Sequence, residues 1–318
     1  MSFSSNVKSE LLHCFVKDTH CIAAEVSAII NLCGQITEKE NKICIKIQTE
    51  NTSVARKCFT LITKNFNIDS RVVIKCGRKN RKINSFAVSV GEKSSSVDME
   101  RFLEKCCFYR GNDGKYNLNH IDEKLFYDSC CRKAYIRGAF LSAGSVNDPG
   151  KTYHMEFVVS DKDYCTELMN VINSFGIEAK SIIRKEHYVI YIKDGEQIAD
   201  MLNIMGAHVS LMEFENIRIL KDMRNNVNRK VNCETANINK TISAAVKQIE
   251  EIEFIRDNYG LSYLPPALYA TAQARLDYPE ASLKELGEKM SPPVGKSGIN
   301  HRLQKISLIA ENLMKGMG

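Results

Sequence analysis

Residues 134–146 of the chain read AYIRGAFLSAGSV, and residues 23–36 read AAEVSAIINLCGQI. Both stretches consist mainly of small and apolar residues, which is typical of a buried helix, and in each the helical pattern ends at a glycine. These glycines, Gly34 and Gly144, are 110 residues apart, and the strand and helix patterns that follow them recur at nearly the same spacing. Matching elements at a nearly constant offset predict a duplicated α+β unit.

The elements around these two helices predict the fold class and the domain boundaries. Apolar patterning predicts strands at 43–48, 72–76 and 86–90 in the first copy and at 154–160, 179–183 and 188–193 in the second. Helical spacing predicts further helices at 52–65, 161–174, 196–205 and 209–225. We expect an α+β N-terminal domain with two antiparallel sheets over residues 1–222, its repeats lying at about 20–110 and 130–206. A basic, asparagine-rich linker at 223–240 and a small all-α domain at 241–318 are expected to follow.

The segment SLKELGEKMSPPVGKSGINHRLQKISLIAENL at residues 282–313 has the pattern of a helix-turn-helix. Ser282 and Glu285 predict a capping box, the prolines and glycine at 292–295 force a turn, and Ser297 is expected to cap the second helix. An apolar row lies on one side of that helix: Ile299, Leu303, Ile306, Ala310 and Leu313. Groups suited to base edges and phosphates lie on the other side and its flanks: Lys296, Ser297, Asn300, His301, Arg302, Gln304 and Lys305. The alternative is an ordinary solvated helical hairpin.

Two basic segments indicate a polyanionic partner more strongly than the net charge of +6 does. Residues 71–84 contain six cations and no acid, and the segment is predicted to be a hairpin turn between two strands. A second cationic stretch covers residues 218–240. Each phosphate that a cation neutralises releases counterions, so such clusters favour nucleic acid, although a solvated turn or helix face is the alternative. The cations assigned to secondary DNA contacts are Arg78, Lys79, Arg81, Lys82, Arg229 and Lys230.

The twelve cysteines are expected to be reduced and mostly buried as small apolar side chains. The start of the chain lacks the apolar core of a secretory signal, and no run approaches the ~18 apolar residues of a membrane helix, so we expect a cytoplasmic, nucleoid-associated protein. Adjacent pairs such as Cys106-Cys107 and Cys130-Cys131 are poorly spaced for chelating one zinc ion, and we expect no metal. The Gly295-Lys296-Ser297 run lacks the earlier glycine of a phosphate-binding loop, because that position is Met290, so no nucleotide cofactor or small-molecule substrate is expected.

The nine residues Ile136–Gly144, IRGAFLSAG, resemble the motif of the LAGLIDADG homing endonucleases, and Val26–Gly34, VSAIINLCG, resembles a degenerate first copy. The resemblance implies two motif helices packed side by side, with two antiparallel sheets forming a saddle over DNA. It also implies that the eighth motif position holds the acid for the catalytic divalent metal, and here those positions are Cys33 and Ala143. Neither can ligate Mg²⁺, which prefers oxygen ligands, and Asp148 beyond the motif is a weak substitute. We therefore expect no nuclease activity.

Three features together resemble the bacterial WhiA proteins: the duplication without its acids, the run NRKVN at 228–232, and the string PPVGKSGINHRL at 292–303. The resemblance covers nearly the whole chain and implies a regulator whose DNA contacts are made mainly by the C-terminal helix-turn-helix. We expect a non-catalytic protein that binds double-stranded DNA and regulates transcription in cell division, chromosome segregation or sporulation, with another regulatory protein as a further partner. The alternatives are a division or chromosome scaffold that uses DNA as an anchor and a divergent homing nuclease.

Overall fold

The chain divides into two compact units, residues 1–221 and 222–318. The computed structural model describes residues 2–39, 42–75, 85–111 and 113–316. Within these ranges no helix combines the length and the apolar character that crossing a lipid bilayer requires.

The first unit opens with helix α1 (Phe3–His13) and then repeats one order of elements twice. The first copy consists of α2 (Thr19–Cys33), β1 (Gly34–Lys39), β2 (Lys42–Thr49), α3 (Thr52–Phe66), β3 (Ser70–Lys75), β4 (Ser85–Val90) and α4 (Ser96–Lys105). The second copy consists of α5 (Ser129–Ala143), β5 (Gly144–Val146), β6 (Met155–Val159), α6 (Lys162–Asn173), β7 (Lys180–Arg184), β8 (His187–Ile192) and α7 (Gly195–Met205). A 3₁₀ turn, Glu123–Leu125, lies between the copies.

Each copy contains one four-stranded antiparallel sheet, ordered β1-β2-β4-β3 in the first and β5-β6-β8-β7 in the second. The registers also correspond, since Gly34 at the start of β1 faces Ile47 and Gly144 at the start of β5 faces Phe157. Alternate residues of the central strands are buried under the helices because successive side chains of a strand point to opposite faces. The predicted α+β duplication with two antiparallel sheets is confirmed.

The motif helices α2 and α5 pack closely against each other, and most residues of both are buried. Gly138 of α5 makes this approach possible: a Cβ at that position would lie 2.4 Å from the carbonyl oxygen of Glu25 and 3.1 Å from the Cβ of Ala28. Only a residue without a side chain fits there, because the nearest atom belongs to the backbone of α2 and cannot move aside.

A buried charge network ties α2 and α5 to the elements around them. The Glu25 carboxylate is fully buried and forms ion pairs with Lys57 of α3 and, at 3.1 Å, with Nε of Arg137 of α5. Lys57 Nζ also donates to the Leu11 carbonyl at 2.8 Å, and Arg137 Nη1 donates to the Met205 carbonyl at 3.1 Å. Burial lowers the pKa of Lys57, while the Glu25 carboxylate opposes that shift. Removing one partner would leave buried charge without compensation.

Helix α8 (His208–Tyr259) runs without interruption from the first unit into the second, which corrects the predicted linker at 223–240. The asparagine-rich stretch is helical because no glycine or proline occurs between 208 and 259, and each asparagine costs only a few tenths of a kcal/mol relative to better helix formers. Every residue from 222 to 240 is exposed, so the solvated character expected of a linker is retained in helical form.

The described residues of the second unit form the end of α8, a 3₁₀ turn (Leu261–Tyr263) and the α-helices α9 (Pro266–Asp277), α10 (Leu283–Glu288) and α11 (Lys296–Gly316). Its separate apolar core includes Ile252 and Ile255 of α8, Ala272 of α9, Leu286 of α10 and Leu303 of α11. The small all-α domain with a helix-turn-helix region is thus present, and it positions the candidate site described next.

Candidate nucleic-acid interface

The pair α10 and α11 forms a helix-turn-helix whose first helix begins with the predicted capping box. The Ser282 hydroxyl accepts the backbone N–H of Glu285 at 3.3 Å, and the Glu285 carboxylate accepts the backbone N–H of Ser282 at 2.8 Å. These two bonds satisfy donors that a helix start otherwise leaves unpaired, and they lower the pKa of Glu285. The start of α10 is therefore determined locally by the sequence.

The turn between the two helices is held by Gly287. Its carbonyl accepts the backbone N–H of Val294 at 3.0 Å, and a Cβ at position 287 would lie 2.0 Å from the Val294 carbonyl oxygen. The polypeptide on either side of the turn therefore meets backbone to backbone, which permits only glycine. Helix α11 begins at Lys296, and the Gly295 carbonyl accepts the Ile299 N–H at 3.1 Å. The prediction that Ser297 caps this helix is wrong, since Ser297 already lies inside its first turn.

One face of α11 packs into the core of the second unit. Four members of the predicted apolar row, Ile299, Leu303, Ile306 and Ala310, are at most 2% exposed, while Leu313 near the end of the helix is half-buried. The 3.6-residue period of an α-helix therefore aims the remaining side chains away from the core.

The other face of α11 presents the predicted contact residues to solvent. Lys296, Ser297, Asn300, His301, Gln304 and Lys305 are exposed, and Arg302 at the flank is half-buried. Within the described parts of the chain, no hydrogen bond or ion pair engages any of these seven side chains. Residues 296–310 contain three cations, Lys296, Arg302 and Lys305, and no acid. The face is therefore cationic, and its polar groups are free for a ligand.

The predicted secondary cations lie in two segments of the chain. Arg229 and Lys230 are exposed on α8. Arg78, Lys79, Arg81 and Lys82 fall between 76 and 84, outside the described residues, so their predicted role in a hairpin turn stays a prediction.

The two motif positions at which the endonuclease resemblance implies an acid lie at the C-terminal ends of α2 and α5. Cys33 and Ala143 are half-buried there, and Lys8 of α1 approaches the same end, its Nζ donating to the Leu141 carbonyl at 3.3 Å. Burial lowers the pKa of Lys8 and raises that of Cys33. Asp148 is exposed and accepts the Gly150 N–H at 2.9 Å, as expected of a turn residue. A lysine ammonium beside a thiol and a methyl group makes a poor site for a hard divalent cation.

Four soft-ligand side chains meet at the opposite, N-terminal ends of α2 and α5: His20, Cys21, Cys130 and Cys131. Their ligand atoms lie within 4.8 Å of one another. The expectation that an adjacent cysteine pair is poorly spaced for chelating one zinc ion considered each pair alone, whereas here Cys130 and Cys131 supply half of a cluster and His20 and Cys21 the other half. The spacing of 110 residues between the repeats was the available indication, because it places Cys21 and Cys131 at equivalent positions.

Three segments of the chain each match a family model. Residues 19–105 match the WhiA N-terminal LAGLIDADG-like domain, residues 132–224 the WhiA LAGLIDADG-like domain, and residues 227–310 the WhiA C-terminal HTH domain. A relative from Clostridium perfringens (strain 13), named "Probable cell division protein WhiA", is 48% identical over 317 residues, which cover 99% of each chain. A relative of the same name from Lachnoclostridium phytofermentans is 47% identical over 322 residues, covering 98% of this chain and 99% of its own.

A solved structure agrees with these matches over the full length. The crystal structure of full-length DUF199/WhiA from Thermotoga maritima superimposes with a TM-score of 0.60 at 25% identity, covering 98% of this chain and 99% of that one. The three family models and the full-length relatives show that the chain belongs to the WhiA family, and the solved structure agrees with its fold.

Proposed function

We propose that this protein is a non-catalytic, double-stranded-DNA-binding regulator that acts in cell division. The observation that carries the proposal is the face of α11: a row of amide, imidazole and cationic side chains without internal partners, mounted on a helix whose other face is core. An exposed helix of this composition, preceded by a tight turn and a supporting helix, suits insertion into a major groove.

The individual side chains suit different parts of a duplex. Asn300, His301 and Gln304 can donate to and accept from base edges, which carry sequence information. Lys296 and Lys305 suit phosphates, which contribute affinity to any sequence. The exposed Arg229 and Lys230 of α8, together with the cations between 78 and 82, are proposed as secondary phosphate contacts.

The experiment separates these roles by measuring affinity against salt concentration. A duplex selected by the full-length protein from a random library serves as the specific DNA, and its shuffled sequence serves as the reference. His301→Ala and Gln304→Ala should each cost about 1–3 kcal/mol on the specific duplex if the side chain reads a base edge, with little change on the shuffled one. Lys305→Ala should weaken both equally and reduce the slope of log affinity against log salt by about one.

Lys315→Ala is the matched control, because Lys315 is an exposed lysine of the same helix outside the proposed row. It removes the same charge from the same element and should leave the slope nearly unchanged. Equal effects of Lys305→Ala and Lys315→Ala, or parental binding by all the variants, would remove the assignment of α11 as the recognition helix.

The absence of catalysis is proposed from the ends of the motif helices. Cys33 and Ala143 offer no oxygen ligand, and Lys8 brings a positive charge to the same place. Full-length protein incubated with supercoiled plasmid and Mg²⁺ or Mn²⁺ should leave the plasmid intact. Cleavage that persists through purification and is lost in Asp148→Ala would contradict the proposal.

The role in division is proposed from the family, because the relatives carry that name in full-length matches. Control of transcription is the form we propose, with the protein in the cytoplasm on the nucleoid and with another regulatory protein as a further partner. A genome-wide occupancy map paired with transcript levels tests it: occupied sites should lie beside genes whose transcripts change when α11 is mutated. Discrete occupancy without transcript changes would instead favour a scaffold that uses DNA as an anchor.

A further inference from the structure

We propose that His20, Cys21, Cys130 and Cys131 form a site for one Zn²⁺ ion that joins the N-terminal ends of the two motif helices. Three thiol sulfurs and one imidazole nitrogen lie within 4.8 Å of one another. His20 Nδ1 is 3.1 Å from Cys131 Sγ and 3.4 Å from Cys21 Sγ. A set of three cysteines and one histidine is among the usual ligand sets of structural zinc.

The spacing of the four ligand atoms suits a tetrahedral ion. Zinc–sulfur bonds of about 2.3 Å at tetrahedral angles place the sulfurs roughly 3.8 Å apart. The observed upper limit of 4.8 Å therefore requires side-chain adjustments of about 1 Å or less. His20 is exposed, so its imidazole can adjust without disturbing the core, while Cys21 and Cys131 are held in place by burial.

The helix architecture explains why the ligands converge. His20 and Cys21 are the second and third residues of α2, and Cys130 and Cys131 are the second and third residues of α5. Because the two helices pack side by side, their first turns meet, and equivalent positions of the repeats supply the two halves of the site. The site thus lies at the other end of the motif helices from Cys33 and Ala143.

The electrostatics of the two helix starts favour thiolate ligands once a cation is present. Zn²⁺ binding displaces three thiol protons to solvent, and three thiolates with a neutral imidazole leave the site with a net charge of −1. Two helix N-termini point their partial positive charge at this anion. Each helix has an aspartate at its N-cap, Asp18 or Asp128, whose side chain makes no capping bond to the first turn.

The donor set matches zinc better than the hard cations Mg²⁺ or Ca²⁺. Zinc prefers sulfur and nitrogen ligands, whereas Mg²⁺ and Ca²⁺ prefer oxygen. The four side chains offer three thiol sulfurs and one imidazole nitrogen, and no oxygen.

The test measures metal binding by full-length protein purified under a thiol-free reductant. We expect one zinc per chain by mass spectrometry of the metal. Replacement by Co²⁺ should give a sulfur-to-cobalt charge-transfer band together with the intense visible bands of a tetrahedral ion. Since zinc binds the folded state, its removal by a chelator should lower the melting temperature of the first unit.

Two adjacent cysteine pairs provide a matched comparison. Cys130→Ala/Cys131→Ala should abolish zinc binding and the effect of the chelator, whereas Cys106→Ala/Cys107→Ala, a pair at the end of α4 outside the cluster, should preserve both. His20→Ala replaces an exposed side chain and will not unfold the protein. Loss of a group that merely supports a ligand costs about 10–100-fold in metal affinity, so loss of the His20 ligand should weaken binding at least as much.

Three results would overturn the proposal. One is reduced protein, with all thiols free by titration, that takes up no zinc or Co²⁺. A second is zinc binding that survives Cys130→Ala/Cys131→Ala. The third is a disulfide between two thiols of the cluster that persists under the same reductant, with no gain in metal binding when a stronger reductant breaks it. That result would assign these thiols to redox chemistry instead.

Discussion

Replacing Glu25 by glutamine should destabilise the first unit more than any exposed carboxylate replacement. The carboxylate is 0% exposed and compensates two buried cations, Lys57 and Arg137, from separate elements. The amide keeps the shape but loses the charge, so the net charge of the buried network rises from +1 to +2, and its NH₂ group faces one of the cations. Removing one partner of a buried ion pair typically costs about 3–5 kcal/mol, and we expect that range here.

Hydrogen exchange of full-length protein, read by mass spectrometry on peptides from α2 and α5, isolates this effect from the second unit. A loss of about 3–5 kcal/mol corresponds to a rise in exchange of the protected amides by roughly two to four orders of magnitude. The defect should shrink as the pH rises towards 10. Burial already lowers the pKa of Lys57, and losing Glu25 removes the attraction that opposes this shift, so Lys57 can shed its proton.

Glu38→Gln is the control, because Glu38 pairs with Arg110 at 2.8 Å but on the surface. That change should leave exchange in α2 and α5 unaltered. A second check replaces Glu25, Lys57 and Arg137 together by methionine, which should recover much of the lost protection, since no buried charge remains. Equal protection in Glu25→Gln and Glu38→Gln would refute the view that the network holds the motif helices together.

Three further outcomes are expected. Leu303→Ala should open a cavity in the second unit and cost about 2–5 kcal/mol, so that helicity by circular dichroism melts early and DNA binding falls with it; a parental melting curve would contradict this. Gly287→Ala should disrupt the turn, because its Cβ would lie 2.0 Å from the Val294 carbonyl oxygen, and limited proteolysis should cut between α10 and α11 faster than in the parent. The free energy of unfolding should fall above pH 9, because burial raises the pKa of Cys58 well above 9.0 and the unfolded chain therefore ionises first. The urea concentration at the unfolding midpoint should be lower at pH 10 than at pH 8, and this difference should be smaller in Cys58→Ala.

Local sequence was enough for the elements with a clear period. The capping box at Ser282, the apolar row led by Ile299, and the glycine after each motif helix all act within a few residues, so they predict the helices and the duplication. Strands β1 and β5 were missed, because the first is mostly polar and the second has only three residues, too few to show alternation. The prediction of a linker at 223–240 is wrong because the composition indicates only that the segment is solvated, and a solvated segment can still be helical.

The sequence by itself determined the repeated unit and the polar face of α11, since each depends on residue type and regular spacing. That Cys33 and Ala143 stand where a nuclease would have acids is what the family resemblance implies. Only the tertiary structure decided which side chains from distant segments contact each other. Glu25 forms ion pairs with a lysine and an arginine from other helices, and Lys8 contacts the C-terminal end of α5. Cys21 lies beside a cysteine pair that is more than a hundred residues away in the chain. The physical reason is that periodicity records which side of an element is buried, whereas the partners on that side follow only from how the elements pack.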